Sequence, residues 1–362
     1  VSDPAALRAE FPVLERVSYL NAGSNGPVPR RAADAARDWV VRQANEGRGG
    51  AAFFKGVMEG AQQLRARVAS VAGCETAELA LTGSTTDGVN AVLSGLDLGP
   101  GDEVLTSDEE HPGVLAPLNG LRARRGVSIK VAPFESIARE VGPDTRLVAV
   151  SHVSWHTGRV VDHSALAAAG VPVLLDGAQS LGAVPVDVHD LGCDFYAAAG
   201  QKWMCGPVGL GYLYVRAERV AELTPPWPWF GSLADPTRPL DGPFHDEARR
   251  LDMAIVPPDQ VHWALAALDV LEEQGLAEGQ GRALSLAARL AEMLAERGLT
   301  VAPRGDSTLV SWEVEDPPAE SERLLGEGIV VRHLPGTPYV RASVGAWTTA
   351  EEIERLAATS GS

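Results

Sequence analysis

Lys202 stands in AAAGQKWMCGPVGLG, residues 197–211, among small and apolar residues with glycines on both sides. The chain has three lysines, Lys55, Lys130 and Lys202, and its other basic side chains, histidines apart, are arginines. An amine enclosed by apolar groups holds its proton less tightly, because desolvation disfavours the charged form. The neutral amine attacks carbonyl carbon and forms Schiff bases. A lysine snorkelling along a surface would need an amphipathic face, which this stretch lacks.

Asp176 ends the apolar run VPVLL, 26 residues before Lys202. A carboxylate at the end of a buried strand is costly unless it pairs with a cation or caps the next turn. Ser84, Thr85 and Thr86 follow ELALTG and open a helical pattern. They would cap that helix, or hold a phosphate at its N-terminus. His111 follows the strand-like DEVLTSD in EEHPG, either as a site ring or as a surface-loop histidine. An amine, a carboxylate, an aromatic ring and a phosphate site are together what pyridoxal 5′-phosphate (PLP) needs. Its aldehyde bonds lysine, and its pyridinium nitrogen pairs with aspartate.

The elements that must position these residues are short apolar strands alternating with helices. ELALTG, DEVLTSD, VSIKVAP, RLVAVSHVS, VPVLLDGAQ, CDFYAAAG and GLGYLYVR read as strands. STTDGVNAVLSGL, GVLAPLNGLRARRG and DHSALAAAG read as helices between them. This pattern predicts an α/β fold with a mostly parallel, seven-stranded sheet sandwiched by helices. In such sheets ligands sit at the carboxyl ends of the strands, where the residues above fall. Upstream, DPAALRAEFPVL reads as a helix, YLNAGSNGPVPRR as turns, and a long amphipathic helix runs to about residue 45. TPPWPWFGSLADPTRPLDGPFHD reads as a long ordered loop, followed by a helix over roughly 258–275. The tail reads as a small α+β domain: LTVAP, STLVSWEV, a helix near 319–327, GIVVRHL, YVRASVG and a last helix from about 349. The expected division is an N-terminal segment, 1–17, packing with the small domain, a large domain, 18–250, and the small domain, 251–362.

With 362 residues the chain can bury a large core. Its formal net charge of −17 argues against nucleic-acid or anionic-membrane partners, which need basic surface. Cys74, Cys193 and Cys205 have no metal-ligand spacing, and an odd count does not suggest a disulfide framework. No metal site is expected. The first residues show no basic segment followed by an apolar run, and no stretch is long and apolar enough to span a bilayer. Cytoplasmic residence is the expectation.

The segments STTDGVN, EEHPG, LLDGAQSLG, GQKWMCGPVGLG and YVRASVG, in this order, resemble the class V aminotransferase family, PLP-dependent enzymes of fold type I. YLNAGSNGPVP, EEHPGV and SHVSWHTGRV are most similar to the cysteine/cystine C–S lyases and their cysteine desulfurase relatives. The resemblance implies that Lys202 bonds PLP and acts in catalysis, and that Asp176 pairs with the ring nitrogen. It implies Gln179 on the ring hydroxyl, His111 stacked on the ring face as a further catalytic residue, and Ser84, Thr85 and Thr86 around the phosphate. Arg341 would grip the substrate carboxylate, and Asn21, Ala22 and Gly23 would lie on the substrate side. A homodimer with its site near the subunit interface is implied as well.

The chain also departs from the family. Many relatives carry Ser or Thr three residues before the lysine and His just before it; here Ala199 and Gln201 stand there. Gln201 is assigned to the cofactor side. A Thr that a neighbouring subunit often supplies is replaced near DMAIV by Ile255. Where an Asn usually faces the substrate, Trp155 and His156 stand instead. The loop that carries the desulfurase cysteine is RHLPGTPYVRAS, with no cysteine. Cys205 reads as a small core residue. The resemblance and the missing cysteine favour β-elimination of an S-substituted L-cysteine to a thiol, pyruvate and ammonia, with Lys202 as general base. Decarboxylation with or without oxidative deamination, transamination, epimerisation and desulfuration remain open on the same scaffold. A PLP-binding regulator or an inactive interaction protein would show loss of Lys202 or Asp176, or an attached DNA-binding domain, and neither is read in the sequence. Trp227, Trp229 and Phe230 would line a mouth for a bulky S-substituent, or simply pack their proline-rich loop.

Overall fold

The computed structural model describes residues 4–273 and 275–361. Its first half runs α1 (Pro4–Ala9), β1 (Ser18–Tyr19), α2 (Arg30–Glu46), α3 (Ala51–Ala72), β2 (Leu79–Thr82), α4 (Thr85–Gly95), β3 (Glu103–Ser107), α5 (Pro112–Arg125), β4 (Ser128–Ala132) and β5 (Thr145–Ser151). There follow α6 (His163–Ala168), β6 (Val173–Asp176), β7 (Phe195–Ala199), β8 (Gly211–Val215), α7 (Pro258–Glu273) and α8 (Leu276–Glu296). The chain ends with β9 (Leu309–Glu313), α9 (Pro317–Gly326), β10 (Ile329–Val330), β11 (Arg332–His333), β12 (Tyr339–Ser343) and α10 (Ala350–Thr359).

Seven strands form one sheet in the order β2-β8-β7-β6-β5-β3-β4, with β8 antiparallel to both its neighbours and the other pairs parallel. Both faces are covered, which is why the strands read as continuous apolar runs. Val148 and Val150 of β5 face one core with Leu64 and Val68 of α3 and Leu268 of α7. Leu147 and Ala149 face the other with Val92 of α4 and Leu118 of α5. The helices start where local chemistry starts them. Ser84 Oγ accepts from the Asp87 amide, His111 Nδ1 accepts from the Gly113 amide, and Pro112 occupies the first turn of α5, where its missing N–H costs nothing.

A second, antiparallel sheet, β11-β12-β9, packs under α8, α9 and α10 around Trp312, Leu290 and Leu356. N-terminal residues touch the C-terminal part of the chain. The Phe11 ring lies 5.2 Å from that of Trp347, and Arg8 pairs with Glu352 at 2.9 Å. β1 pairs in parallel with β10, so Ser18 and Tyr19 also lie against the C-terminal part of the chain.

Several local expectations change. The first helix breaks at Phe11, which is extended (φ −111, ψ 92) before Pro12, and resumes as a 3-10 turn, Pro12–Glu15. Proline disfavours a helical residue ahead of it. α3 and α8 have no counterpart in the sequence reading. Both carry glycines inside, Gly56 and Gly60 in one and Gly279 and Gly281 in the other, which weakens their helical signal. LTVAP contributes only an isolated bridge, Val301 to Trp312. GIVVRHL is not one strand: Ile329–Val330 pairs with β1, and Arg332–His333 switches to β12.

Candidate active site

Five strand ends converge. The turn after β2 brings Ser84, Thr85 and Thr86; the ends of β3 and β5 bring His111 and Trp155; β6 ends on Asp176; and the turn after β7 carries Lys202. Arg341 on β12 and Arg332 on β11 approach from the second sheet, and Gly23, Ser24 and Asn25 from the N-terminal loop. Together with Ala178, Gln179, Ala199 and Gln201 they line a cavity of about 280 Å³.

Burial is the main reason the Lys202 amine falls to about 8; Asp176 opposes the shift, while Arg341 and Arg332 add to it. Burial likewise raises Asp176, against the pull of Lys202 and of the Ala178 amide, which donates to Asp176 Oδ1 at 2.8 Å. His111 is pushed down to about 4 by burial and by Lys202, Arg332 and Arg341, so it is an uncharged ring at neutral pH. Gln179 is held at both ends: Nε2 donates to the Gly23 carbonyl at 2.9 Å, and Oε1 accepts from Trp203 Nε1 at 3.2 Å.

Arg341 has no exposed surface. Its Nη1 donates to the Trp155 carbonyl at 2.8 Å, while Nε and Nη2 are buried without a partner. Burial, with Arg332 beside it, lowers its pKa to about 9, so it remains charged at neutral pH. Two glycines permit this closeness. A Cβ on Gly23 would lie 2.7 Å from Arg341 Nη2, and one on Gly26 only 2.1 Å from the Lys202 carbonyl.

Of the residues singled out from sequence, Ser84, Thr85, Thr86, His111, Trp155, Asp176, Gln179, Gln201, Lys202, Arg341 and Gly23 line the cavity. Asn21, Ala22 and His156 do not. Asn21 Oδ1 accepts from Ser24 Oγ at 2.7 Å and so shapes the loop, and Ala22 is buried in the apolar cluster that also holds Trp347. His156 lies against Trp155, ring centroids 4.4 Å apart. Trp227 and Phe230 are exposed, and with Trp229 they lie away from this cavity. Arg332, Ser24 and Asn25 were not anticipated. For Arg332 the available signal was a second arginine, nine residues before Arg341, on what read as a neighbouring strand.

The donors fit PLP. Thr85 Oγ1 is buried without a partner at the N-terminus of the eleven-residue α4, where a phosphate would find hydroxyls and free amides. Lys202, Asp176 and His111 would then meet an aldehyde, a pyridine nitrogen and a ring face.

The model of the family aminotransferase class-V matches residues 18–356. The chain is 28% identical over 390 residues to a probable cysteine desulfurase of Methanothermobacter thermautotrophicus, covering 98% of this chain and 96% of that protein. It is 30% identical over 394 residues to isopenicillin N epimerase of Streptomyces clavuligerus, covering 99% and 97%. Among solved structures it is similar to the cystine C–S lyase C-DES in complex with its reaction product cysteine persulfide, with TM-score 0.90, 29% identity, and coverage of 96% of this chain and 98% of that one. It is similar also to a C-DES mutant with glycine covalently linked to its PLP cofactor, with TM-score 0.91, 29% identity, and coverage of 97% and 98%. The fold is therefore that of the type I PLP enzymes, and the chain belongs to the class V aminotransferase family of PLP-dependent enzymes.

Proposed function

We propose that this enzyme is a C–S lyase that cleaves an S-substituted L-cysteine by β-elimination. The observation that carries the reading is the content of the cavity: Lys202, Asp176 and Arg341 share it, and all three cysteines lie outside it. Cys205, the cysteine nearest Lys202 in sequence, is buried, and burial pushes its thiol up, away from the reactive thiolate. A protein persulfide thus has no sulfur to form on at the site.

PLP, when bound, supplies the electron sink that makes the Cα proton of the amino acid acidic. Asp176 would pair with the ring nitrogen, and His111 would offer its uncharged face to the ring. Arg341 binds the α-carboxylate through its two free nitrogens, a task that suits a planar guanidinium. Lys202, whose lowered pKa of about 8 makes the neutral amine accessible near neutral pH, takes the Cα proton at Nζ. The Cβ–S bond breaks, sulfur leaves with the electron pair as a thiolate, and hydrolysis of the three-carbon remainder gives pyruvate and ammonia.

Arg332 supports a narrower substrate class. It lies directly opposite Arg341 on the neighbouring strand, and like charges so placed repel unless an anion lies between or beside them. An S-substituent bearing its own acidic group would meet Arg332. Exposed apolar side chains on α2 and α3, among them Val40, Val41, Phe54 and Met58, support a second copy of the chain as partner. No helix among the described residues is long and apolar enough to cross a membrane.

The test is incubation of the PLP-loaded protein with S-substituted cysteines, assaying pyruvate, thiol, CO2 and the enantiomer of the substrate together. Pyruvate in one-to-one ratio with thiol is expected. Epimerisation is the second reading, favoured by the likeness to isopenicillin N epimerase over nearly the whole chain. It would give the D-enantiomer without pyruvate.

A further inference from the structure

Trp155 stands between the two ends of the site. Its carbonyl accepts from Arg341 Nη1 at 2.8 Å. Its ring meets His111 edge to face, centroids 4.9 Å apart at 82°, while the His156 ring lies 4.4 Å away at 40°. Only 7% of Trp155 is exposed, yet it lines the cavity, and its indole Nε1 is buried without a partner. A buried donor left unmet costs on the order of 1–3 kcal/mol, so native structures rarely leave one empty.

Other indole nitrogens are unmet too: those of Trp312 and Trp347 belong to core packing, and Trp39 and Trp229 lie away from the cavity, whereas Trp155 lines it. Arg341 has two further unmet donors, Nε and Nη2. Two residues that line one cavity and hold three N–H groups without a partner call for a group that only accepts. An ionised carboxylate accepts about four hydrogen bonds and donates none. With Nη1 committed to the Trp155 carbonyl, Arg341 can satisfy part of that capacity and leaves room for a third donor.

We infer that the Trp155 indole N–H donates a hydrogen bond to the substrate α-carboxylate, beside Arg341, and so helps to select α-amino acids. The inference rests on the reading of the ligand as an α-amino acid, and not on which of its bonds is broken. It makes Trp155 a substrate-contacting residue whose backbone also orients Arg341.

The experiment is absorbance titration of the PLP-loaded protein with L-alanine, which has no leaving group, and with L-alaninamide, which has no carboxylate. Trp155→Phe keeps the ring beside His111 and removes the donor. L-Alanine should bind at least about tenfold more weakly to this variant, the usual scale for a hydrogen bond to a charged group. L-Alaninamide affinity, PLP affinity and the spectrum of the amino-acid-free protein should stay unchanged. Trp155→His, which keeps a ring N–H, should recover part of the loss. Unchanged L-alanine affinity in Trp155→Phe overturns the inference. Weakened PLP binding or a shifted spectrum without amino acid overturns it as well, because the donor would then serve the cofactor. In the unaltered protein, one indole N–H signal should become protected from solvent exchange when L-alanine is added; no change in any indole signal would also overturn it. An unaltered protein that binds no amino acid would sink both this inference and the amino-acid reading, whereas binding without pyruvate release would sink the lyase reading alone.

Discussion

Arg332 and Arg341 are register partners on antiparallel strands, and both line one cavity. Arg332 Nη1 donates to Ser24 Oγ at 2.9 Å, so it also fastens the N-terminal loop. The pairing separates two effects that a single arginine would merge. Arg341→Ala should weaken binding of every amino acid while PLP stays bound, since truncating a buried charge contact costs on the order of 2–5 kcal/mol. Arg332→Ala should weaken mainly those substrates whose S-substituent is acidic. KM values for a neutral and an acidic S-substituted cysteine, measured on both variants, check this. Equal losses on both substrates in Arg332→Ala would remove the second anion from the proposal.

Lys202 should carry the cofactor. Borohydride reduction of the PLP-loaded protein, followed by peptide mapping, should place the pyridoxyl group on the peptide holding Lys202, and not on those holding Lys55 or Lys130. The pH dependence has a defined sign. Its pKa falls from 10.5 unfolded to about 8 in the folded, PLP-free protein, where the neutral amine is the reactive form. PLP uptake should therefore accelerate as pH rises toward 8 and level off above it, as stopped-flow absorbance can follow. Between about 8 and 10.5 the unfolded chain holds the extra proton, so this group adds stability as pH rises through that window.

A side chain at Gly23 or at Gly26 should be harmful, with different consequences. In Gly23→Ala the new methyl meets Arg341 Nη2 and Ser343 Oγ at 2.7 Å, both side-chain atoms, so the protein should fold and bind PLP but lose amino-acid affinity. In Gly26→Ala it meets the backbone carbonyl of Lys202 at 2.1 Å, which cannot swing aside. PLP binding itself should fail there, or thermal stability should drop clearly. Thermal melts with and without PLP distinguish the two variants.

Cys205 should be dispensable for chemistry. The residue is 1% exposed and burial raises its pKa, so it is a poor nucleophile. Cys205→Ala should keep most activity and the one-to-one yield of pyruvate and thiol. A dead variant, together with persulfide found on Cys205 of the wild type, would replace the lyase reading with desulfuration.

Much of the site was legible along the chain because a parallel sheet places its functional residues locally. Each strand ends and the next few residues face the same edge, so Thr85, His111, Asp176 and Lys202 could be found one strand at a time. The apolar runs and the caps that mark those ends are short-range signals. Arg341 was legible through its family-like segment alone, since nothing within YVRASVG says what the arginine faces.

What the tertiary structure decided are the relations between distant segments. Arg332 reached the cavity because the chain switches partner after Val330, from β1 to β12, a choice made by which strand edges lie nearby and not by local sequence. His156 was left behind Trp155, and Asn21 was turned to shape its loop, because the segment after β5 meets Arg341 of β12 and the N-terminal loop meets Arg332 of β11 through Ser24. Periodicity and capping act over a few residues and can be read in one dimension. Facing pairs such as Trp155 and Arg341, 186 residues apart, exist only once two sheets have closed on each other.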